Sequence, residues 1–206
     1  MGLKAVFFDL DDTLYGSFKA CDNYGYERLA VWSEQVLGID GETFTQAFRA
    51  SRQRMTRQQP GMPPIHDRVV CAQGALERLG CNAIRCARQV HRVYWDAVRE
   101  KMELRPGVPE LLDDLRQAGV KTAVCTDMLA DMQMEKLEHL GLADSVDFLV
   151  SSEEPGMDKP GAPIFWLSRH KGGCTAASAV MAGDHFSSDV PGALDLGRGG
   201  GLLSWD

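Results

Sequence analysis

The stretch from Lys4 to Leu14, KAVFFDLDDTL, constrains the fold of this chain more than any other. Its four consecutive apolar residues, Ala5–Phe8, include strand-favouring Val and Phe and are typical of a strand buried on both faces. This strand ends directly in Asp9, Asp11 and Asp12. Carboxylates near a core are costly unless they are paired, hydrogen-bonded or bound to a metal. The pattern therefore indicates either a cation or proton-transfer site, or an acidic solvated loop after an ordinary strand, and matching groups elsewhere decide between them.

From Arg105 onward, helical and strand patterns alternate along the chain. Predicted helices follow Pro106 and then lie at 130–140, 162–170 and 188–196, and predicted strands lie at 120–125, 146–150, 179–182 and 201–204. This alternation predicts an α/β fold with a doubly wound, parallel five-stranded sheet of the Rossmann-like type. In such sheets ligands bind at the carboxyl ends of the strands.

Residues 16–103 follow a different pattern and predict an inserted all-helical domain, so that residues 1–15 and 104–206 form the core. The insert carries 13 basic and 10 acidic side chains and is mildly basic within an acidic chain. Its apolar spacing places Val36 and Val69 on buried helix faces. One helix face carries four arginines and predicts a solvated surface or, alternatively, a contact with an anionic substrate: Arg49, Arg52, Arg54 and Arg57.

Charge and cysteine usage exclude several classes of protein. The net charge of −7 argues against nonspecific binding to nucleic acid or to anionic membrane surfaces. Six cysteines without a C-x-x-C pair indicate reduced thiols instead of a zinc site or a disulfide framework. No stretch approaches the roughly 20 apolar residues of a membrane span. We expect a cytoplasmic protein that is a monomer or a weak homodimer.

Polar side chains recur where the other predicted strands end. Thr126 ends the second strand, Lys159 lies in the loop after the third, and Asp184 and Asp189 follow the fourth in GDHFSSD. Each has a separate local explanation as a helix cap, a solvated lysine or a turn residue. A shared parallel sheet would bring all of them to the edge that carries Asp9, so together they favour a single site.

This combination of side chains suits phosphoryl transfer. Acids at two strand ends are able to hold Mg²⁺, a cation that takes oxygen ligands and binds phosphate oxygens beside them. The metal and an ammonium group offset the charge of the phosphoryl group, a hydroxyl orients it, and an aspartate attacks in line.

Four motifs in this order resemble the haloacid dehalogenase superfamily. Its phosphatases carry D-x-D-x-T, a strand-end Thr or Ser, a loop Lys, and an acidic motif such as G-D-x-x-x-x-D. The corresponding parts of this chain are 9–13, Thr126, Lys159 within MDKPGAPIF, and 183–189. The insert is similar to the helical cap of the first type in that superfamily.

The resemblance implies a phosphoric monoester hydrolase that acts on a small-molecule phosphate ester with Mg²⁺. It implies Asp9 as the nucleophile and Asp11 as the general acid and base. Thr126 and Lys159 are the implied phosphate ligands. Asp127 is placed in the same phosphate-binding set because it follows Thr126 directly, although its carboxylate is an anion close to the phosphate. The implied metal ligands are Asp9, the carbonyl of Asp11, Asp184, and Asp189 acting through water or as an orienting residue.

Other functions stay open at the level of sequence. A phosphomutase uses the same core residues. A phospho-acceptor signalling domain shares an acidic cluster with Thr and Lys, but it places the acceptor after its third strand and lacks such an insert. A catalytically inactive interaction protein would not need the complete set of charged groups, which argues against that alternative. A dehalogenase needs no acid at the position of Asp11, so the presence of Asp11 argues against dehalogenation.

Overall fold

The computed structural model describes residues 2–189 and 200–202. The chain divides into two compact units, of which one is Ser17–Met102 and the other comprises the chain before and after that segment. Within the described residues, no helix is both long enough and apolar enough to cross a membrane.

The unit Ser17–Met102, described in full, is built from four α-helices. They are α1 (Phe18–Trp32), α2 (Gly41–Gln58), α3 (Arg68–Arg78) and α4 (Ala83–Glu100). The side-chain oxygens of Asp40, Asp67 and Asn82 accept hydrogen bonds at the starts of α2, α3 and α4. These caps satisfy backbone N–H groups that have no partner inside the first helical turn.

One burial prediction for the helical unit is wrong, and a second holds only in part. Val36 is 51% exposed, because the chain after α1 continues as a π-helical turn, Ser33–Leu37, which changes the spacing of side chains around the axis. At the start of α3, Arg68 is buried and Val69 is only half-buried. The Arg68 guanidinium lies 5.5 Å from the centroid of the Tyr94 ring, which offsets the cost of burying it.

In its described residues the second unit contains five strands, three α-helices and a further helical segment at 186–189. In chain order the strands and α-helices are β1 (Ala5–Phe8), α5 (Val108–Gln117), β2 (Lys121–Thr126), α6 (Ala130–His139), β3 (Phe148–Ser151), α7 (Ala162–Gly172), β4 (Ala179–Gly183) and β5 (Gly200–Leu202). The strands are parallel and lie in the order β3-β2-β1-β4-β5. The predicted α/β class with a parallel sheet is confirmed. The predicted helix at 188–196 and the end of the last predicted strand fall largely outside the described residues.

Strand β1 lies at the centre of this sheet and is buried along its whole length, as its apolar run predicts. On one face Phe7 belongs to an apolar cluster that includes Ile164 and Phe165 of α7. The neighbours of β1 are β2 and β4. Parallel pairing in this order therefore brings the carboxyl ends of β2 and β4 to either side of Asp9.

Candidate active site

Asp9 lies immediately beyond the carboxyl end of β1. Its backbone N–H donates to the carbonyl of Ala182 on β4 at 2.8 Å, which extends the strand pairing by one residue. Asp9 is 8% exposed, and its Oδ1 lies 2.7 Å from Nζ of Lys159. Lys159 comes from the loop between β3 and α7, so the sheet joins an acid and an ammonium that are 150 residues apart.

Two carboxylates share the ammonium group of Lys159. The second is Asp189, whose Oδ1 lies 2.6 Å from Nζ and whose Oδ2 accepts from the backbone N–H of His185 at 3.0 Å. Both Lys159 and Asp189 are buried. Burial opposes the charged lysine, but the nearby carboxylates of Asp9 and Asp189 outweigh this effect and raise the pKa of Lys159. The lysine therefore stays positively charged at neutral pH.

The ammonium of Lys159 does not fully compensate the carboxylate of Asp9. Burial raises the pKa of Asp9 to about 7, Lys159 opposes this, and the carboxylates of Asp189 and Asp11 add to it. A single ammonium shared by several acids does not neutralise them. The cluster of Asp9, Lys159 and Asp189 thus retains an excess of negative charge.

The buried hydroxyl of Thr13 connects Asp9 to Asp184. Thr13 Oγ1 lies 3.3 Å from Asp9 Oδ2 and 3.2 Å from Asp184 Oδ1, and it accepts from the backbone N–H of Asp184 at 3.1 Å. A hydroxyl carries one proton and donates to one of the two carboxylates at a time. Thr13 therefore holds two of the predicted metal ligands on either side of one oxygen.

Asp11 contacts a different set of groups. Its Oδ1 lies 2.5 Å from Nζ of Lys136 and accepts a hydrogen bond from the Tyr15 hydroxyl. Its Oδ2 accepts from Nε2 of Gln133 at 2.9 Å. Burial would raise the pKa of Asp11, but Lys136 and the hydrogen bonds outweigh it and lower the pKa below its usual value. Asp9 and Asp11, two residues apart, thus lie in opposite electrostatic environments.

Thr126, the residue that ends β2, is linked to Asp11 through Gln133. Thr126 is buried, and its Oγ1 accepts from Gln133 Nε2 at 2.6 Å. The structure therefore divides the predicted residues into two clusters. One contains Asp9, Thr13, Lys159, Asp184 and Asp189, and the other contains Asp11 and Thr126.

Asp127 contacts the backbone of Lys159. Asp127 Oδ1 accepts from the backbone N–H of Lys159 at 2.6 Å, which ties the lysine loop to the end of β2. This contact gives Asp127 a positioning role for the loop. Its direct contact with phosphate stays a prediction.

Tyr15, Gln133 and Lys136 belong to none of the four motifs, and sequence reasoning missed them. A faint signal exists, because Gln133 and Lys136 are three residues apart and share one face of α6. Their neighbours Met132 and Leu137 are buried, so this polar pair lies beside the apolar stripe of the helix. Gln133 and Lys136 are only 0% and 1% exposed. This burial is what distinguishes them from an ordinary pair of polar side chains on a solvated helix face.

The four arginines of α2 have different environments. Arg52 Nη1 lies 2.8 Å from Oδ1 of Asp22 and 2.6 Å from the hydroxyl of Tyr26, and the Arg49 guanidinium lies 3.5 Å from the centroid of the Tyr26 ring. Arg54 and Arg57 are exposed. Arg52 is thus fixed within the helical unit, whereas contact of these residues with an anionic substrate stays a prediction.

Gly183 at the end of β4 is required by the position of Asp189. A Cβ at residue 183 would overlap the Asp189 carboxylate, which Lys159 and the backbone of His185 hold in place. We expect Gly183→Ala to lower the free energy of unfolding by about 1–3 kcal/mol, measured by denaturant titration. Gly2→Ala is the matched control, because no atom lies within 4 Å of its added Cβ. Equal stabilities of the two variants would contradict the predicted overlap.

Comparison with known proteins agrees with this fold and site. The chain is 36% identical over 196 residues to a ribulose-1,5-bisphosphate 5-phosphatase from Halopiger xanaduensis, covering 94% of this chain and 81% of that protein. It is 30% identical over 205 residues to a glyceraldehyde 3-phosphate phosphatase from Methanothermobacter thermautotrophicus, covering 98% and 86%. A crystal structure of 2-haloacid dehalogenase from Pseudomonas syringae pv. tomato superposes with a TM-score of 0.78 at 25% identity, covering 99% of this chain and 90% of that one.

The chain has a parallel α/β sheet with an acidic centre at its carboxyl edge. Together with these relatives, this places it in the class of hydrolytic enzymes. The family model of haloacid dehalogenase-like hydrolases matches residues 3–197, and the chain belongs to this family. The resemblance inferred from the four sequence motifs is thereby confirmed.

Proposed function

We propose that this chain is a Mg²⁺-dependent phosphatase that hydrolyses a small phosphorylated sugar through an aspartyl-phosphate on Asp9. The observation that supports it most is the buried carboxylate of Asp9, 2.7 Å from the ammonium of Lys159 at the end of the central strand. The proposed nucleophile, Asp9, and the proposed phosphate-binding cation, Lys159, are thus adjacent. The predicted enzyme class, a phosphoric monoester hydrolase of this superfamily, is confirmed by relatives named as phosphatases.

The substrate class follows from the same relatives. Their names refer to ribulose 1,5-bisphosphate and glyceraldehyde 3-phosphate, which are both small phosphorylated sugars. We propose a substrate of this class for the present chain. The cytoplasmic location and the monomeric or weakly dimeric state stay predictions.

The proposed reaction has two steps. A carboxylate oxygen of Asp9 attacks phosphorus, the bond from phosphorus to the ester oxygen breaks, and the leaving alkoxide takes a proton from Asp11. Water then attacks phosphorus and gives a proton to Asp11, the bond from phosphorus to Asp9 breaks, and inorganic phosphate leaves. Lys159 and Thr126 would orient the phosphoryl oxygens.

The contacts of Asp11 favour its proposed role as the base of the second step over its role as the acid of the first. Lys136 and Tyr15 stabilise the ionised carboxylate, which suits acceptance of the proton from water in the second step. In the first step the carboxyl has to hold its proton against the positive charge of Lys136. An ester with a good leaving group needs no such proton, so it isolates the second step experimentally.

The donor set fits Mg²⁺. Thr13 holds the carboxylate oxygens of Asp9 and Asp184 within 3.3 Å of its own oxygen, and such hard oxygen donors are the ligands that Mg²⁺ takes. In the described part of the chain no three His, Cys, Asp or Glu side chains form a metal cluster by themselves. We propose that Asp9, Asp184 and the Asp11 carbonyl hold the ion with water, and that Asp189 orients Lys159. When bound, Mg²⁺ would offset the negative charge of the phosphoryl oxygens.

Asp184→Asn tests the metal assignment. We expect Mg²⁺ affinity, measured by titration calorimetry, to fall by about 100-fold or more, because the loss of a ligand exceeds the 10- to 100-fold cost of losing an outer partner. Asp113→Asn is the control, since Asp113 is 62% exposed and lies on α5. Unchanged affinity in Asp184→Asn would contradict this assignment.

The helical unit Ser17–Met102 is proposed to be the cap that selects the substrate, and the sheet unit is proposed to be the catalytic core. This division is supported by the placement of Asp9, Asp11, Lys159 and Asp184 in the sheet unit alone. Substrate contacts that distinguish one sugar from another would then come from the inserted helices.

A substrate screen tests the proposed function directly. Phosphorylated sugars are incubated with the purified chain and Mg²⁺, and inorganic phosphate is measured with and without EDTA. We expect metal-dependent release of phosphate from at least one sugar phosphate and none from Asp9→Asn. Conversion of a sugar phosphate into its isomer without phosphate release would indicate the phosphomutase alternative.

A further inference from the structure

Helix α6 buries two polar side chains that reach the segment after β1 and the end of β2. Gln133 and Lys136 are 0% and 1% exposed, and their partners are Asp11 and Thr126. A buried lysine is costly unless a carboxylate compensates it, and a buried amide is costly unless it is hydrogen-bonded. The lysine ammonium and the N–H groups of the amide are compensated here by residues that the proposed mechanism uses.

Both carboxylate oxygens of Asp11 are engaged. Oδ1 contacts Lys136 Nζ and the Tyr15 hydroxyl, and Oδ2 contacts Gln133 Nε2. Three partners around one short side chain leave no free rotation about its last bond. The acid and base of the proposed reaction is thus held in a single orientation.

Gln133 also determines how the Thr126 hydroxyl is used. Its two N–H groups donate to Asp11 Oδ2 and to Thr126 Oγ1, while Oε1 has no hydrogen-bond partner among the described residues. The reversed amide would place Oε1 against the Asp11 carboxylate, which is repulsive. Because Thr126 Oγ1 accepts from Gln133, its own proton is available for another acceptor, such as a phosphoryl oxygen.

We propose that Lys136 and Gln133 are positioning residues, which fix the Asp11 carboxylate for its proton transfers and aim the Thr126 hydroxyl at the phosphoryl group. This inference rests on the proposed function and adds two residues outside the four motifs. Neither side chain needs to touch the substrate. Lys136 acts through Asp11, and Gln133 acts through Asp11 and Thr126.

Rapid-quench kinetics with p-nitrophenyl phosphate and Mg²⁺ separates formation of the phosphoenzyme from its breakdown. For Lys136→Met we expect formation at nearly the parental rate, because nitrophenolate leaves without a proton, and breakdown slowed about 10- to 100-fold by the misplaced base. For Gln133→Leu we expect the same slow breakdown and also weaker substrate binding, since Thr126 loses its partner. The weaker binding is measured as a higher substrate concentration at half-maximal rate of phosphoenzyme formation. Lys136→Arg keeps a cation beside Asp11 and should partly restore breakdown.

Three controls distinguish positioning from a general loss of structure. Lys171→Met removes a lysine that pairs with Glu154 on the surface and should leave both steps unchanged. Adding Lys136→Met to Asp11→Asn should slow breakdown no further, because a residue that acts through Asp11 has no effect once that carboxylate is gone. Thermal unfolding reports whether each variant is folded. If Lys136→Met does not fold, Lys136→Arg and Gln133→Leu decide the test.

An equal slowing of both steps, or additive effects in the double variant, would overturn the inference. Parental breakdown rates in folded Lys136→Met and Gln133→Leu would do the same. The proposed function fails by a different result, namely that the parent protein forms no phosphoenzyme and releases no phosphate.

Discussion

Asp9→Asn will form no covalent phosphoryl adduct, whereas Asp11→Asn will accumulate one on Asp9. The reason lies in the separate environments of the two carboxylates. Asp9 lies beside Lys159 at the end of the central strand, and Asp11 is held by Lys136, Tyr15 and Gln133. An amide at residue 9 has no anionic oxygen to attack phosphorus, so we expect kcat to fall by about 10⁴-fold or more.

In Asp11→Asn we expect the proposed first step to survive with an activated ester, while the water that breaks the adduct would lack its proposed base. We expect hydrolysis of the aspartyl-phosphate to slow by about 10²- to 10⁴-fold, so that the adduct builds up. Single-turnover mass spectrometry after an acid quench locates it. A phosphoryl group on any residue other than Asp9, or no build-up in Asp11→Asn despite turnover, would overturn these roles.

The matched control for both variants is Asp12→Asn. Asp12 is the third acid of the same stretch and has a φ of 59°, a left-handed conformation that Asn tolerates. The substitution therefore removes a neighbouring charge without straining the backbone. We expect both steps to proceed as in the parent protein.

Lys159→Met will cost both stability and activity. Its ammonium lies between the buried carboxylates of Asp9 and Asp189, at 2.7 and 2.6 Å, and its removal leaves two acids without their cation. Breaking a buried ion pair in this way costs about 3–5 kcal/mol of unfolding free energy. If Lys159 binds the phosphoryl oxygens as proposed, loss of this cation should also lower kcat by about 10²- to 10³-fold.

Denaturant titration and steady-state kinetics with a sugar phosphate measure the two effects. Lys171→Met provides the comparison, because its partner Glu154 is 37% exposed and such surface pairs contribute about 1 kcal/mol or less. If Lys159→Met were as stable and as active as Lys171→Met, the ammonium of Lys159 would contribute neither to the free energy of unfolding nor to catalysis.

Much of the candidate site was predictable because each motif is local. An apolar run followed directly by Asp9 and Asp11 predicts a buried strand that ends in acids, and Thr126 follows a second such run. Helix starts are determined just as locally, since Asp40 and Asp67 satisfy N–H groups within three residues of themselves. Prediction failed at Val36, where a π-helical turn changed the spacing of side chains. It held only in part at Val69, because the neighbouring Arg68 is buried against aromatic rings.

The sequence alone indicated that acids, a hydroxyl and a lysine lie at or after the carboxyl ends of strands in one parallel sheet, because hydropathy reports which segments are buried and where they end. Only the tertiary structure decided which strands are neighbours, and therefore that Asp9 shares Lys159 with Asp189 while Asp11 pairs with Lys136. The physical reason is that a polar residue on a helix has the same sequence pattern whether it faces water or a buried carboxylate 125 residues away.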